Sequence, residues 1–432
     1  MLPLQEKTAS NPFSGYITMA DLEPIIEKLQ LENDKKAAAN PVVQKSLAIV
    51  KEFLQTHPVM CYGGTAINNL LPEKDRFYDP KTTIPDYDFY SKTPQEHAMI
   101  LANKLAEAGI ETVEAKPGMH LGTFKVFADF EGVADITHLD ADIFDRLWKE
   151  DLVMDKIHYV TPNFLRLSMY LDLSRPHGDV SRWKKVYERL NLLNKSYPME
   201  CPMEKETPAG RELTEANRKR VETILRTKPV VLLGITASQI HQGRAVRWMA
   251  PVTILAEEAE MKALTEGKKT EKHEGTEILP GHVDVFDEEG DVLLRIHETA
   301  ACHSYHEMAN GVRVASIPTM LQFFFAYTYS GVDEDEITHL LCVSQRLVDL
   351  AAHKEKRRYA LLTPTECLGK QETLVDMKRH KALLYTELSK NRLSVDFLKF
   401  FFTYNPRDTE TKRAQVRKAL KKTRRARLES SY

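Results

Sequence analysis

Residues 57–91 read HPVMCYGGTAINNLLPEKDRFYDPKTTIPDYDFYS. The apolar run Val59-Met60-Cys61-Tyr62 predicts a short buried strand that breaks at Gly63-Gly64. Thr65 to Leu71 predicts a helix that opens at this turn. A strand, a diglycine turn and a helix N-terminus make a place for an anion, because the first N–H groups of the helix are free and glycine lets a phosphate approach closely. Thr65 can add its hydroxyl to that cradle. Further on, Pro85-Asp86-Tyr87-Asp88-Phe89-Tyr90-Ser91 alternates as a strand does. Asp86 and Asp88 then share one face, and Tyr87 and Phe89 turn to the other. Two adjacent carboxylates repel each other unless cations lie between them, and oxygen-only ligands suit Mg²⁺ or Mn²⁺.

Taken singly, Asp-Tyr-Asp reads equally as a solvated strand edge and Gly-Gly as a hairpin turn. Their order narrows the reading, because the segment between them accommodates one helix and a return. Asp135, in the strand-like run Gly132 to Leu139, supplies a third carboxylate. Three acids on neighbouring strands, opposite a glycine-rich cradle, fit the two-metal arrangement for nucleotidyl transfer.

With these motifs the segment resembles the nucleotidyltransferases of the DNA-polymerase-β superfamily. The wording YGGTAINNLL, DYDFYS and VADITHLD is most similar to the poly(A) polymerase catalytic subunits of large cytoplasmic DNA viruses, of giant-virus and poxvirus type. The resemblance covers about the first 200 residues well and the remainder more loosely. It implies an α/β (α+β) fold: a mixed nucleotidyltransferase sheet with flanking helices, duplicated as a second, degenerate unit, and a helical C-terminal part. It implies Asp86, Asp88 and Asp135 as catalytic metal ligands for two Mg²⁺ or Mn²⁺ ions, with ATP and an RNA 3′ end as substrates. One ion would activate the RNA 3′-hydroxyl and the other would neutralise the departing pyrophosphate. Gly63, Gly64 and Thr65 would hold the β- and γ-phosphates. Giant-virus relatives imply a homodimer and poxvirus relatives a separate stimulatory subunit, a choice the sequence leaves open, and the family's setting is the host cytoplasm. Uridine- or CCA-adding enzymes of the same superfamily, and a non-catalytic RNA-binding scaffold, stay open as alternatives.

Composition bounds the answer. A chain of 432 residues suggests two or three domains, and 42% hydrophobic with 28% charged residues describes an ordinary globular protein. No apolar run is long enough to span a membrane. The net charge of −2 excludes a uniformly basic nucleic-acid binder but leaves room for a local basic groove. Five cysteines without a CxxC pair argue for a reducing compartment; Cys302-His303 with His306 is the one hint of a transition-metal cluster.

Residues 1–20 look extended, and Asp21 is a plausible N-cap for a helix through Leu29. Thr161-Pro162 starts another helix, on which Arg166 and Tyr170 stand four apart and can share a face. The following helix carries Arg182, Trp183, Lys184, Lys185, Tyr187 and Arg189. A solvated basic face explains these residues as well. The family resemblance favours cations at the triphosphate and Tyr170 or Tyr187 at the base.

Residues 199–228 are polar and read as a linker with a helix, dividing a catalytic unit (1–198) from a second unit (229–332) and a helical region (333–432). Pro229-Val230-Val231-Leu232-Leu233-Gly234 echoes Pro58-Val59-Met60-Cys61-Tyr62-Gly63, and Pro251 to Leu255 takes the place of the Asp86/Asp88 strand. This copy lacks paired acids, so it is expected to be catalytically inactive. The charged run 256–277 is expected to be an exposed loop. The basic tail, with Lys421, Lys422, Arg424 and Arg425, is either a solvated helix end or a contact for an RNA backbone.

Overall fold

Asn40 accepts a hydrogen bond from the Val42 N–H at 2.9 Å and Pro41 takes the first helical position, so a helix must start there. Its stripe of Val43, Leu47, Val50, Phe53 and Leu54 is buried and lies behind the first strand. The computed structural model describes residues 19–79, 81–201, 210–299 and 301–429.

The first unit runs α1 (Met19–Ala38), α2 (Pro41–Thr56), β1 (Met60–Tyr62), α3 (Gly63–Leu70), β2 (Tyr87–Ser91), α4 (Pro94–Glu107), β3 (Val113–Pro117), β4 (Thr123–Ala128), β5 (Glu131–His138), α5 (Ala141–Glu150), β6 (Leu152–Met154), β7 (Ile157–Tyr159), α6 (Pro162–Leu173) and α7 (Trp183–Ser196). Its sheet has the order β3-β4-β5-β2-β1-β7-β6.

The second unit starts with β8 (Arg211–Glu212), α8 (Glu215–Thr227), β9 (Val231–Leu232), α9 (Gly234–His241), β10 (Met249–Ala250), β11 (Val252–Ala256) and α10 (Glu258–Thr265). It continues with β12 (Thr270–His273), β13 (His282–Phe286), β14 (Val292–Glu298), β15 (His303–Glu307), β16 (Arg313–Ala315), α11 (Ile317–Thr328) and α12 (Glu334–Ala352). Then follow β17 (Cys367–Leu368), α13 (Leu374–Leu388), α14 (Val395–Phe401) and α15 (Glu410–Glu429). The second sheet, β12-β13-β14-β11-β9-β16-β15-β17, repeats the first strand for strand, apart from the added β17. In both units the strand before the glycine turn pairs antiparallel with the next main strand and parallel with the later one.

The two units share one core. Every residue of α11 is buried, and the helix packs along α6. Thr161 and Ser316 cap these helices through the N–H groups of Phe164 and Thr319. Thr161 also hydrogen-bonds the Tyr329 hydroxyl at 2.5 Å, and the Tyr170 and Phe325 rings stack 6.2 Å apart. The C-terminal region ties both sheets: β17 extends the second, and Tyr404 exchanges two backbone hydrogen bonds with Ala115 at the edge of the first.

Four expectations change. Asp21 lies inside the first turn of α1, which already starts at Met19, so it is not the cap. The proposed extended segment falls on residues 1–18, outside the described residues, apart from its last two positions, which are helical. The run 256–277 is not a loop, because it supplies α10 and β12. The Cys302-His303-His306 cluster dissolves, since Cys302 forms a disulfide with Cys367, His303 is buried and His306 stacks on Tyr359. A second disulfide joins Cys201 to Cys342, leaving Cys61 as the free thiol, buried in β1. Pairs separated by 65 and 141 residues leave no local signature, so spacing could not reveal them.

Truncating a side chain in the shared core tests the packing. Phe325→Ala is expected to cost about 3–5 kcal/mol in urea unfolding, whereas Phe130→Ala, with a ring 79% exposed, should stay within about 0.5 kcal/mol of the parent.

Candidate active site

The turn after β1 is built for closeness. Gly63 has φ +72°, a left-handed conformation that favours glycine, and a Cβ there would stand 2.5 Å from Oδ2 of Asp88. At Gly64 a Cβ would meet the Tyr78 hydroxyl at 2.4 Å and an Arg189 guanidinium nitrogen at 2.7 Å. The N-terminus of α3 is therefore pressed against a carboxylate on one side and a cation on the other. Buried Asn68 fixes the other wall by accepting from the N–H groups of Phe77 and Tyr78, each at 2.9 Å. Arg189 stacks over the Phe77 ring at 4.4 Å and donates to the Tyr78 hydroxyl at 3.2 Å.

The acids meet as the alternation requires. Asp88 pairs in register with Tyr62 on one side and with Asp135 on the other, and Asp86 precedes β2 by one residue on the same face. Tyr87 and Phe89 point into the core. Thr65 donates its hydroxyl to the Asp86 carbonyl at 2.6 Å, so this buried side chain anchors the acidic strand rather than facing a phosphate.

The carboxylates do not converge. Lys125, opposite Asp135 in register, draws that carboxylate to 2.5 Å from its Nζ. Burial, then Asp86 and Asp135, push the Asp88 carboxyl up to about 8. Burial and Asp135 raise Asp86 too, against the pull of Lys125 and Lys185. Buried carboxylates that also crowd one another suit divalent cations, which would supply the missing positive charge. The residues present fit such ions.

The helix α7 brings Lys185 towards Asp86, and Arg182 in the turn just before it faces Asp88, while exposed Lys184 makes no contact that places it in the site. Arg166 and Tyr170 are a correction. Both are buried, and the face they share is turned into the protein rather than to the cleft. Arg166 donates to Asn194 at 2.8 Å, to Asn163 at 2.7 Å and to the Tyr197 carbonyl, tying α6 to the end of α7. Lys421 is exposed on α15; the side chains of Lys422, Arg424 and Arg425 lie outside the described residues. The cation missed by the sequence reading is Lys125; Arg182 and Arg189 belong to the basic helix that the sequence offered for the triphosphate. Lys125 was legible in hindsight, as a lysine among the alternating apolar residues of β4, but only the register shows its partner.

The second unit has the same geometry with different chemistry. Gly234 has φ +78° at the start of α9, as Gly63 has at the start of α3. Pro251, Thr253 and Arg295 occupy the positions of Asp86, Asp88 and Asp135, by the pairings Thr253–Arg295 and Leu233–Thr253. These residues line a cavity of about 610 Å³ that has lost all three acids.

The first unit thus joins a glycine turn at a helix N-terminus to three carboxylates on two neighbouring strand segments, within a mixed sheet whose strand order the second unit repeats. Residues 48–179 match the family model of the poly(A) polymerase catalytic subunit. It is 29% identical over 209 residues to a protein of Acanthamoeba polyphaga mimivirus provisionally named a poly(A) polymerase catalytic subunit, an alignment covering 46% of this chain and 35% of that one. An African swine fever virus protein of the same provisional name is 32% identical over 180 residues, covering 40% and 38%. The chain therefore spans a little over a third of the length of these relatives. In fold it is similar to the Megavirus polyadenylate synthase, with a TM-score of 0.79 over 97% of this chain and 92% of that one at 16% identity.

Two outcomes follow from this geometry. Gly63→Ala should leave the far-ultraviolet spectrum unchanged and lower nucleotidyl transfer by roughly 100-fold or more, the scale of a misplaced reactive group. Asp88 binds its proton far more tightly when folded, so its contribution to stability is lost as pH rises from the ordinary carboxylate range towards 8. In chelator, urea stability of the parent should fall over that interval more steeply than that of Asp88→Asn.

Proposed function

We propose that this chain extends RNA 3′ ends with adenylate from ATP, without a template, at the cleft between Gly63 and the acidic strands. The observation that supports the reading most strongly is the in-register pair Asp88–Asp135 beside Asp86, facing a helix N-terminus that only glycine can form. The match of residues 48–179 to poly(A) polymerase catalytic subunits supports adenylate in particular.

In this reading the triphosphate lies between the α3 N-terminus and α7. The free N–H groups after Gly63, with Arg189 and Lys185, bind its β- and γ-phosphates. Asp86, Asp88 and Asp135 hold two Mg²⁺ or Mn²⁺ ions, which when bound lower the pKa of the RNA 3′-hydroxyl and offset charge on the departing pyrophosphate. Lys125 holds Asp135 until that carboxylate is needed as a ligand. Thr65 keeps Asp86 at its height on the strand, and Arg182 offsets charge beside Asp88. The division into a catalytic unit (1–198), a linker (199–228), an inactive unit (229–332) and a helical region (333–432) belongs to the same reading. So does an RNA-backbone contact by the basic end of α15, where Lys421 is exposed.

Primer extension tests it. A short RNA is incubated with Mg²⁺ or Mn²⁺ and each nucleoside triphosphate separately. Long tails from ATP alone are expected, with a loss of about 1,000-fold or more in Asp86→Ala/Asp88→Ala. Tails from UTP or CTP instead, or undiminished activity in the variant, would overturn the assignment.

A further inference from the structure

Compared row by row, the two sheets carry opposite charges. Across the first, Lys116, Lys125, Asp135 and Asp88 stand side by side in register. Across the second, the same row reads Glu271, Asp284, Arg295 and Thr253. A row in which both lysines have become acids no longer favours a triphosphate; its outer end attracts a cation.

That outer end also carries histidines. Glu271 and His273 share one face of β12, His282 and Asp284 one face of β13, and the antiparallel register sets Glu271 opposite Asp284 and His273 opposite His282. His273 Nε2 lies 3.7 Å from Oδ2 of Asp284 and 3.8 Å from Oε1 of Glu271. His282 Nε2 lies 3.9 Å from Oδ1 of Asp284, so the two imidazoles approach different oxygens of one carboxylate. One donor atom from each of His273, His282 and Asp284 lies within 4.8 Å of the others, a convergence that the acids of the first unit do not reach.

We propose that His273, His282 and Asp284 hold a divalent transition-metal ion, with Glu271 in reach as a fourth ligand. Every contact in the cluster is longer than a hydrogen bond, and His273 Nε2 is a buried nitrogen with no hydrogen-bond partner among the described residues. The two imidazoles are stacked 4.4 Å apart, and a turn of their rings would bring a nitrogen of each to one ion beside Asp284. Arg295 donates to both oxygens of Asp284, each at 2.9 Å, which fixes the plane of that carboxylate and leaves a lone pair on each oxygen for a metal. Two imidazoles with carboxylates select Zn²⁺, Co²⁺ or Ni²⁺ over Mg²⁺, which prefers oxygen alone. The ion would also clamp the base of loop 274–281, which reaches the catalytic unit where Glu277 hydrogen-bonds His138 at 2.9 Å, three residues beyond Asp135 on the same strand.

The experiment uses the whole chain, stripped with chelator, in the Asp86→Ala/Asp88→Ala background so that the catalytic carboxylates take no ion. Co²⁺ is titrated while its visible absorption is recorded, and Zn²⁺ is then added in competition. One Co²⁺ per chain is expected, with the intense bands of a low-coordinate nitrogen-and-oxygen site, displaced by Zn²⁺. His273→Gln and His282→Gln should each weaken binding by about 100-fold or more, and His380→Gln, an exposed histidine elsewhere, should leave it unchanged. Absence of the bands in the unsubstituted hairpin would overturn the proposal without reference to any histidine variant. Bands that persist at full affinity in both folded histidine variants would overturn it as well.

Discussion

Burial of Asp88 beside two further carboxylates, Asp86 and Asp135, is the constraint on which this structure turns. A carboxyl group pushed up to about 8 is expensive to keep at the mouth of a folded domain, and a sequence under no functional demand would replace it. The neighbourhood instead accommodates it. Gly63 leaves room for Asp88 where any side chain would collide, Thr65 pins the backbone of Asp86, and Lys125 neutralises Asp135. Burial on the other side of β2, by Tyr87 and Phe89, supplies the rigidity that holds like charges together. Local electrostatic cost is offset by packing energy from residues that never touch a substrate.

Duplication shows how little separates a site from a scaffold. The second sheet repeats the strand order, the glycine with left-handed φ and the capped helix that follows the last parallel strand. What decides the chemistry is the set of side chains on one face. Replacing the acids by Pro251, Thr253 and Arg295, and Lys125 by Asp284, removes the repulsion and with it the need for two ions. What remains is a unit whose α11 seals the core of its partner, so its loss would expose the catalytic domain's own interior.

The readable parts of the sequence were those governed by local rules. The glycine turn, the alternation in DYDFYS, the cap-then-proline helix start at Thr161 and the echo of the first unit in the second all depend on short-range geometry. Arg166 and Tyr170 were misread because helical spacing says that two residues share a face but not whether that face meets water or α11. Thr65 was given to a phosphate because its adjacency to glycine is visible, whereas its hydrogen bond to Asp86, twenty-one residues on, is not. Lys125 escaped notice for the same reason: a lysine becomes part of a site only when strand register sets it beside a carboxylate. Both disulfides were likewise illegible, since their partners stand 141 and 65 residues apart in the chain and meet only through tertiary packing.

The claim at the centre is that the three carboxylates are a paired cation site facing a triphosphate cradle. A crystal grown with Mn²⁺ and a non-hydrolysable ATP analogue, recorded at a wavelength where manganese scatters anomalously, tests it most directly. The account requires two anomalous peaks bounded by Asp86, Asp88 and Asp135, with the analogue's phosphates against the N–H groups after Gly63 and Lys125 released from Asp135. Manganese elsewhere, or an analogue bound with its phosphates away from that turn and the carboxylates still held by Lys125 alone, would contradict it.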